Sequence, residues 1–230
     1  MVHIFRRRGE DGASRLERDL AELEAQARSA SPGYETQFLN RAGNLCVEAG
    51  QPARALAYFG RAIDAYLESG RFSAAEVLCR KVLQIAPEAV RARSTLAWLA
   101  LGKGFHESTR VEIREYVHAA EKAGQQQLAA VQLMMMAEAA TELELREEIG
   151  EHLLRLDEPE KADVVFGLVF EERNGQRAPR YIDEGKLWTK LLRAALMGPQ
   201  ELQQQDWAAL EEDNEALPSL QKRRPDESPP

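Results

Sequence analysis

Apolar side chains recur every three or four positions along most of the chain, with polar side chains between them. The first clear example is a stripe on one face of a helix over residues 15–29: Leu16, Leu20, Leu23 and Ala27. No segment of useful length alternates apolar and polar residues as a half-buried strand does. Because a period of 3.6 residues indicates an amphipathic α-helix, the pattern predicts an all-helical protein.

Glycine and proline divide the rest of the chain at regular intervals. Gly50, Gly70 and Gly124 follow periodic segments, and Pro52 and Pro159 begin others. Glycine suits the left-handed cap that ends a helix, and proline is tolerated in the first helical turn. These positions predict eight further helices, over 36–49, 52–68, 73–86, 89–102, 109–123, 127–141, 143–156 and 159–172.

Three helix starts carry the pattern of a capping box, in which a serine or threonine precedes a glutamate by three residues. The pairs are Ser14 with Glu17, Ser73 with Glu76, and Thr109 with Glu112. In a capping box the hydroxyl accepts a hydrogen bond from a backbone N–H of the first turn. The pattern therefore predicts that these three hydroxyl residues are N-caps.

Small side chains stand where two of the predicted helices must touch. Helix 36–49 carries Ala42-Gly43-x2-Cys46, and the next helix carries Ala55-x3-Phe59-x2-Ala62. Antiparallel helices joined by a short turn approach closely only if their contact ridge is small. The two patterns resemble the halves of the tetratricopeptide repeat, L-G-x2-Y on the first helix and A-x3-F on the second.

The two half-signatures recur later in the chain. Residues 149–169 read Ile149-Gly150-x2-Leu153 and Ala162-x3-Phe166-x2-Val169, and residues 110–141 hold a weaker copy, Tyr116-Val117-x2-Ala120 and Ala129-x3-Leu133-x2-Met136. Residues 72–103 leave space for one more pair, whose pairing register stays open. The resemblance implies an all-α fold: a right-handed α-solenoid of about four tetratricopeptide-like helix pairs with N- and C-terminal capping helices.

Composition and resemblance together divide the chain into five parts. We expect a flexible N-terminal tip over 1–13, an amphipathic helix over 14–31, the repeat domain over 34–174, C-terminal capping helices over 175–213 and a disordered tail over 214–230. A stripe in the fourth part either closes the last repeat or docks on another protein. It consists of Tyr181, Ile182, Leu187, Trp188, Leu191, Leu192, Ala195 and Leu196.

The composition is that of an ordinary soluble protein. A net charge of −8 disfavours sequence-independent binding to nucleic acid, which depends on neutralising phosphates. With only two cysteines, Cys46 and Cys79, we expect no disulfide framework and a reducing, cytoplasmic location. The sequence contains no apolar run of about 18 residues, so no membrane span is predicted. Frequent alanine, arginine, glutamate and leucine hint at a bacterial source.

Catalytic patterns are missing from the sequence. It contains no P-loop, no G-x-S-x-G, no G-x-G-x-x-G and no CxxC zinc pattern. Glu115 and His118 have the spacing of half a di-iron site, but His152 has Ile149 where its glutamate should stand. We therefore expect a protein that is not an enzyme and binds neither cofactor nor metal.

The resemblance implies a binding groove, because the first helix of each tetratricopeptide pair lines a concave surface. Asn44 stands where chaperone-binding members have an asparagine that contacts a peptide carboxylate. Those members also need flanking cations, and Asn40 replaces one of them, so a carboxylate clamp is not expected. The groove positions carried over to this chain are Asn40, Asn44, Arg114, His118, Glu147 and Glu151.

Two function classes follow from this reading. The first is a non-catalytic scaffold or adaptor that binds a peptide or helix of a partner protein in the groove. The alternative is a constitutive subunit of a larger cytoplasmic assembly, which docks through its C-terminal amphipathic helix and its tails. An adaptor should present a polar open groove, whereas a subunit should expose an apolar patch around residues 181–196.

Overall fold

A computed structural model describes the backbone of residues 2–177 and the side chains of residues 13–177. These residues belong to a compact unit, Met1–Leu196; a second unit, Met197–Pro230, lies outside the described residues, as do the helices expected after residue 177. The described part contains nine α-helices and no strand: α1 Val2–Ser29, α2 Glu35–Glu48, α3 Pro52–Glu68, α4 Phe72–Ile85, α5 Val90–Gly102, α6 His106–Lys122, α7 Gln126–Ala139, α8 Leu143–Arg155 and α9 Pro159–Arg173.

The all-α prediction is confirmed, and the eight predicted helices between residues 36 and 172 match α2 to α9 to within three residues at each end. Several of these helices end where the sequence places a glycine. Gly50 and Gly124 both have a φ of 68°, in the left-handed region, and Gly70 has a φ of 70°. Since this region strains residues that carry a Cβ, these glycines fix where the helices stop.

The prediction that three hydroxyl residues form capping boxes is wrong. None of the N-cap residues of α2 to α9 makes a side-chain capping hydrogen bond, and Ser14, Ser73 and Thr109 all lie inside helices. The Thr109 hydroxyl instead donates to the Phe105 carbonyl oxygen, 3.0 Å away and one turn earlier. A threonine or serine hydroxyl can make this backward bond anywhere in a helix, so its position does not mark a start.

Helix α1 also begins earlier than expected. The sequence predicts a tip over residues 1–13 and a helix from Ser14, but the backbone of α1 starts at Val2 and continues through Ser14. Arginine, glutamate and alanine in this stretch favour helix, and no proline interrupts it. Nothing in the local sequence therefore ends the helix at Ser14.

The even-numbered helices form one row. Hydrogen bonds link each of them to the next, between residues that stand 37, 32 and 34 positions apart: Lys81 to Asn44, Arg80 to Glu112 at 3.2 Å, and Arg155 to Glu121 at 2.8 Å. These separations lie close to the 34-residue length of a tetratricopeptide repeat. The helices α2, α4, α6 and α8 are therefore successive copies of one structural position.

The odd-numbered helices form a second row. Arg54 of α3 donates to Glu17 of α1 at 2.5 Å, and Arg91 of α5 donates to Asp64 of α3 at 2.5 Å. Trp98 of α5 then donates through its indole nitrogen to Gln132 of α7 at 3.3 Å, and α7 packs on α9. Two rows whose successive members lie side by side make the described part an all-α solenoid.

Two helix pairs show the close contact that the resemblance implies. A Cβ added to Gly43 of α2 would lie 2.3 Å from Cε1 of Phe59 in α3. A Cβ added to Gly150 of α8 would lie 2.6 Å from Cε1 of Phe166 in α9. In each pair the aromatic ring follows the glycine by 16 residues and rests on bare backbone. The pairs α2/α3 and α8/α9 are therefore tetratricopeptide-like, as predicted.

The middle of the chain answers the open question of register. The two rows place α4 and α6 in the layer of the first helices α2 and α8, and place α5 and α7 in the layer of the second helices α3 and α9. Helix α5 nevertheless also packs extensively on α6, with Ala97 and Ile113 both buried. A helix in a continuous solenoid contacts the pairs on both sides, so α5 also fits a first-helix pattern.

Candidate binding surface

All six residues predicted for the groove lie on the even row. Asn40 and Asn44 belong to α2, Arg114 and His118 to α6, and Glu147 and Glu151 to α8. The structure brings their helices side by side with α4 between α2 and α6. Within the described part, no hydrogen bond joins any two of the six. They are therefore spread along the row rather than gathered into one cluster.

Asn44 is held by a lysine from the next even helix. The Lys81 ammonium of α4 donates to Oδ1 of Asn44, and its nitrogen lies 4.6 Å from the centre of the Phe59 ring. The ring in turn rests on Gly43. A cation over an aromatic face is attracted by the ring quadrupole. Lys81 thus connects α2, α3 and α4, and the Asn44 Nδ2 donates no hydrogen bond to a described residue.

Asn40 has an unmet acceptor. Its side chain is half-buried, and its Oδ1 is enclosed without a hydrogen-bond partner among the described residues. Leaving a buried acceptor unpaired costs free energy, about 1–3 kcal/mol in typical proteins. The unpaired oxygen therefore lowers the stability of the protein around α2.

Arg114 and Glu151 are the most available charges among the six. Both side chains are exposed, and neither has an ion-pair partner among the described residues. Since they stand on the neighbouring helices α6 and α8, they offer one free cation and one free anion on the same row. A partner segment that carries both signs of charge would complement them.

Glu147 and His118 have partners within the protein. Both Glu147 oxygens accept from Arg173 of α9, at 2.6 and 3.0 Å. His118 is exposed, and its Nδ1 lies 3.9 Å from Glu121 Oε2. The carboxylate of Glu147 therefore ties α8 to α9, and of these two residues His118 is the more accessible.

His152 is a residue of the row that sequence reasoning considered only as a metal ligand. Its Nε2 is buried without a hydrogen-bond partner among the described residues. Burial lowers the pKa of His152, and the nearby positive charges of Arg155 and Arg114 lower it further. The imidazole is consequently neutral at neutral pH. The positive charge of this part of the row is therefore carried by Arg155 and Arg114.

Sequence reasoning also missed the contribution of α4. Arg80 accompanies Lys81 on this helix and donates to Glu76 at 3.1 Å and to Glu112 of α6 at 3.2 Å. The sequence pattern did not identify α4 as a first helix, because Cys79 stands where that pattern has glycine. The pairing register of α4 therefore stayed open. With its register fixed, α4 adds two cations to the row.

The cysteines and the acidic groups offer no chemistry of their own. Cys46 and Cys79 are both buried as free thiols, and burial raises the pKa of Cys79 to about 12. A thiol that stays protonated is a poor nucleophile and a poor metal ligand. Among the residues whose side chains are described, no group of three histidine, cysteine or acidic side chains is placed to hold a metal ion.

No helix within residues 2–177 combines the length and the apolar character needed to cross a membrane. This finding agrees with the sequence, in which charged residues interrupt every apolar stretch.

No family model matches the chain, and no curated protein matches it. Among solved structures it is similar to a MamA RS-1 ArsTM double mutant, with 15% identity over 64% of this chain and 99% of that chain, at a TM-score of 0.24. It is also similar to a tetratricopeptide repeat protein from Parabacteroides merdae, with 16% identity over 85% of this chain and 81% of that chain, at a TM-score of 0.22. At such values the fold assignment rests on the chain's own helix packing.

Proposed function

We propose that this protein is a non-catalytic interaction scaffold that binds a peptide or helix of a partner protein along the even row. The observation that carries the proposal is the pair of free charges, Arg114 and Glu151, on adjacent helices of that row. Most other charged groups on these helices are already engaged in ion pairs within the protein. Unpaired charges on a rigid helical frame are suited to recognising a complementary segment.

The even row offers more than charge. Asn44 contributes an amide donor that is not hydrogen-bonded to a described residue, so the α2 end of the row can bind a polar backbone group. Lys81 fixes the Asn44 side chain and thereby reduces the entropy that binding would otherwise cost. An extended peptide that runs from α2 to α8 would meet amide groups first and charged groups later.

The test exchanges the two free charges and compares the result with a matched exchange on the odd row. Arg114→Glu with Glu151→Lys reverses the charges on the even row, and Arg28→Glu with Asp163→Lys reverses two exposed charges on α1 and α9. Both double variants keep the net charge of −8. Each variant and the natural protein serve as bait in extract from the source cells, and captured proteins are quantified by mass spectrometry.

We expect one captured protein to weaken at least about tenfold in the even-row variant, which corresponds to ~1.4 kcal/mol. The odd-row variant should capture it normally. Equal loss in both variants, or loss in neither, would contradict binding along the even row. A partner that is lost only when residues 181–196 are altered would support the alternative function, a subunit that docks through its C-terminal helix.

A further inference from the structure

A cleft of about 310 Å³ lies between α3 and α5 on the odd row. Its sides include Ala57, Gly60 and Arg61 of α3 and Ala92 and Thr95 of α5. A Cβ added to Gly60 would meet nothing within 4 Å, so α3 presents bare backbone at this point. Small side chains on both helices therefore leave this space between them.

The contact between α5 and α7 shows how the same space is filled one step further along the row. Each of these odd helices begins its second-helix pattern with a buried alanine: Ala55 in α3, Ala92 in α5 and Ala129 in α7. Two and six residues after its alanine, α5 carries Ser94 and Trp98, and three residues after its own alanine α7 carries Gln132. Ser94 and Trp98 both donate to Oε1 of Gln132. The wholly buried indole ring of Trp98 thus links α5 to α7.

The equivalent positions of α3 and α5 carry side chains that do not link the two helices. They are Ala57 and Arg61 in α3 and Thr95 in α5, and all three line the cleft. The Nη1 atom of Arg61 lies 4.0 Å from Oε1 of Glu24 in α1, and the Thr95 hydroxyl donates to the Arg91 carbonyl oxygen of its own helix at 2.9 Å. The cleft therefore corresponds to the space that an indole ring takes up between α5 and α7.

The cleft combines apolar walls with charged groups. The buried side chains of Ile63 and Val82 contribute to its lining. Arg91 donates to Asp64 at 2.5 Å, and burial raises the pKa of Asp64 although the Arg91 guanidinium acts in the opposite direction. Together with Arg61, two guanidinium groups and one carboxylate line the cleft. A negatively charged group on a ligand would consequently meet a net positive charge.

We propose that this cleft binds a small aromatic acid, with its ring in the position equivalent to the Trp98 indole and its carboxylate beside Arg61. An apolar cavity of about 150 Å³ is enough to bind benzene, and small-molecule sites begin at about 300 Å³. The cleft therefore has the size for a compound of about two fused rings. The inference does not rest on the proposed function, because the cleft belongs to the odd row.

Titration of the full-length protein with indole-3-acetate, followed by calorimetry, tests the proposal. Gly60→Leu extends a side chain into the cleft, and Gly167→Leu makes the same change in α9, where a Cβ also meets nothing within 4 Å. We expect saturable binding that Gly60→Leu weakens at least about tenfold, or ~1.4 kcal/mol, and that Gly167→Leu leaves unchanged. No saturable binding at millimolar concentration, or equal weakening in both variants, would overturn the proposal.

Two changes at Arg61 test the ring and the carboxylate separately. Arg61→Trp supplies the residue that stands at the equivalent position of α5, so it should block the ligand and also raise the urea midpoint of the protein without ligand. Arg61→Gln should weaken indole-3-acetate several-fold and leave the binding of neutral indole unchanged. Normal binding by Arg61→Trp would overturn the placement of the ring, and equal affinity of the natural protein for the acid and for indole would overturn that of the carboxylate.

Discussion

The two end pairs of the solenoid and its middle hold their helices together in different ways. In α2/α3 and α8/α9 an aromatic ring lies directly on the backbone of a glycine, so that one residue on each helix sets the contact. In the middle of the solenoid, medium and large side chains from several helices together form the contacts between helices. Trp98 is wholly buried and binds Gln132 of α7, and α5 packs extensively on α6, with Ala97 and Ile113 both buried.

This difference explains which parts of the fold can be read along the chain. A ring on a glycine needs a fixed residue type at each of two positions, because only glycine leaves room for the ring. Distributed packing accepts many combinations of side chains with a similar total volume. The middle can therefore depart from the repeat pattern while it keeps the same helix arrangement.

The pair α8/α9 also contains a buried ion pair, and breaking it should have the largest effect on stability of the changes predicted here. Arg146 of α8 donates to Glu172 of α9 at 2.5 Å and to the Ala140 carbonyl oxygen at 2.7 Å, with 2% and 6% of the two charged side chains exposed. Replacing one member of a buried ion pair leaves the other charge unpaired. We expect Arg146→Met to lower the free energy of unfolding by about 3–5 kcal/mol, measured by urea denaturation.

The control for this prediction lies in the same pair of helices. Arg173→Met breaks the exposed ion pair with Glu147, and solvent screens such pairs. Its effect should be much smaller than that of Arg146→Met. Equal losses would contradict the view that the last pair depends on its buried charges.

Glycine substitutions test the contact in the first pair. A Cβ at Gly43 would overlap the wholly buried Phe59 ring, whereas a Cβ at Gly60 in α3 would meet nothing within 4 Å. Overpacking costs about 1–3 kcal/mol, and replacing glycine by alanine within a helix gains about 1 kcal/mol. We expect Gly43→Ala to be less stable than Gly60→Ala by about 1–3 kcal/mol.

The last pair should show the same effect more weakly. A Cβ at Gly150 would also overlap a ring, but Phe166 is only half-buried and has room to move. Gly150→Ala should therefore shift the urea midpoint less than Gly43→Ala, with Gly167→Ala as the control without a close neighbour. If Gly150→Ala proved the more damaging of the two, the ring contact would not be what sets the cost.

The smallest predicted effect concerns the even row. The pKa of His152 is lowered by burial and by Arg155 and Arg114, with Glu121 acting against them. Protonation therefore favours the unfolded chain, whose histidine has a pKa of about 6.5. Stability should be full above that pH and should decrease as the pH falls below it.

Urea midpoints measured between neutral pH and the acid range test this dependence. His152→Gln should lose part of the acid sensitivity, whereas the exposed His118→Gln serves as the control for removing a histidine. An unchanged pH profile in His152→Gln would show that the buried imidazole does not contribute.

Sequence reasoning recovered the helices and the end pairs because their signals are local. Helical periodicity, the terminating glycines and the spacing from Gly43 to Phe59 each lie within a short segment. The N-caps failed because a hydroxyl such as that of Thr109 can bond backward inside a helix. The start of α1 at Val2 was missed because Gly9 and Gly12 disfavour a helix and Ser14 with Glu17 has the spacing of a capping box.

The candidate surface was harder to predict because it is assembled from distant segments. The sequence placed Arg114 and Glu151 on separate helices but did not show that both would lack partners. The sequence could not place Lys81 beside Asn44, because Cys79 replaces the glycine that would have identified α4 as a first helix. Which of the six residues touch a partner remains a prediction.

The most direct test of the central claim is to locate the partner on the protein. A photo-crosslinking amino acid replaces the exposed Val111, one turn before Arg114 on the even row, or, in a separate variant, stands at position 163 on the odd row, and each full-length variant is irradiated in its source cells. Binding along the even row predicts a crosslinked partner at position 111 and none at position 163. Crosslinking of the same partner at 163 but not at 111 would contradict it.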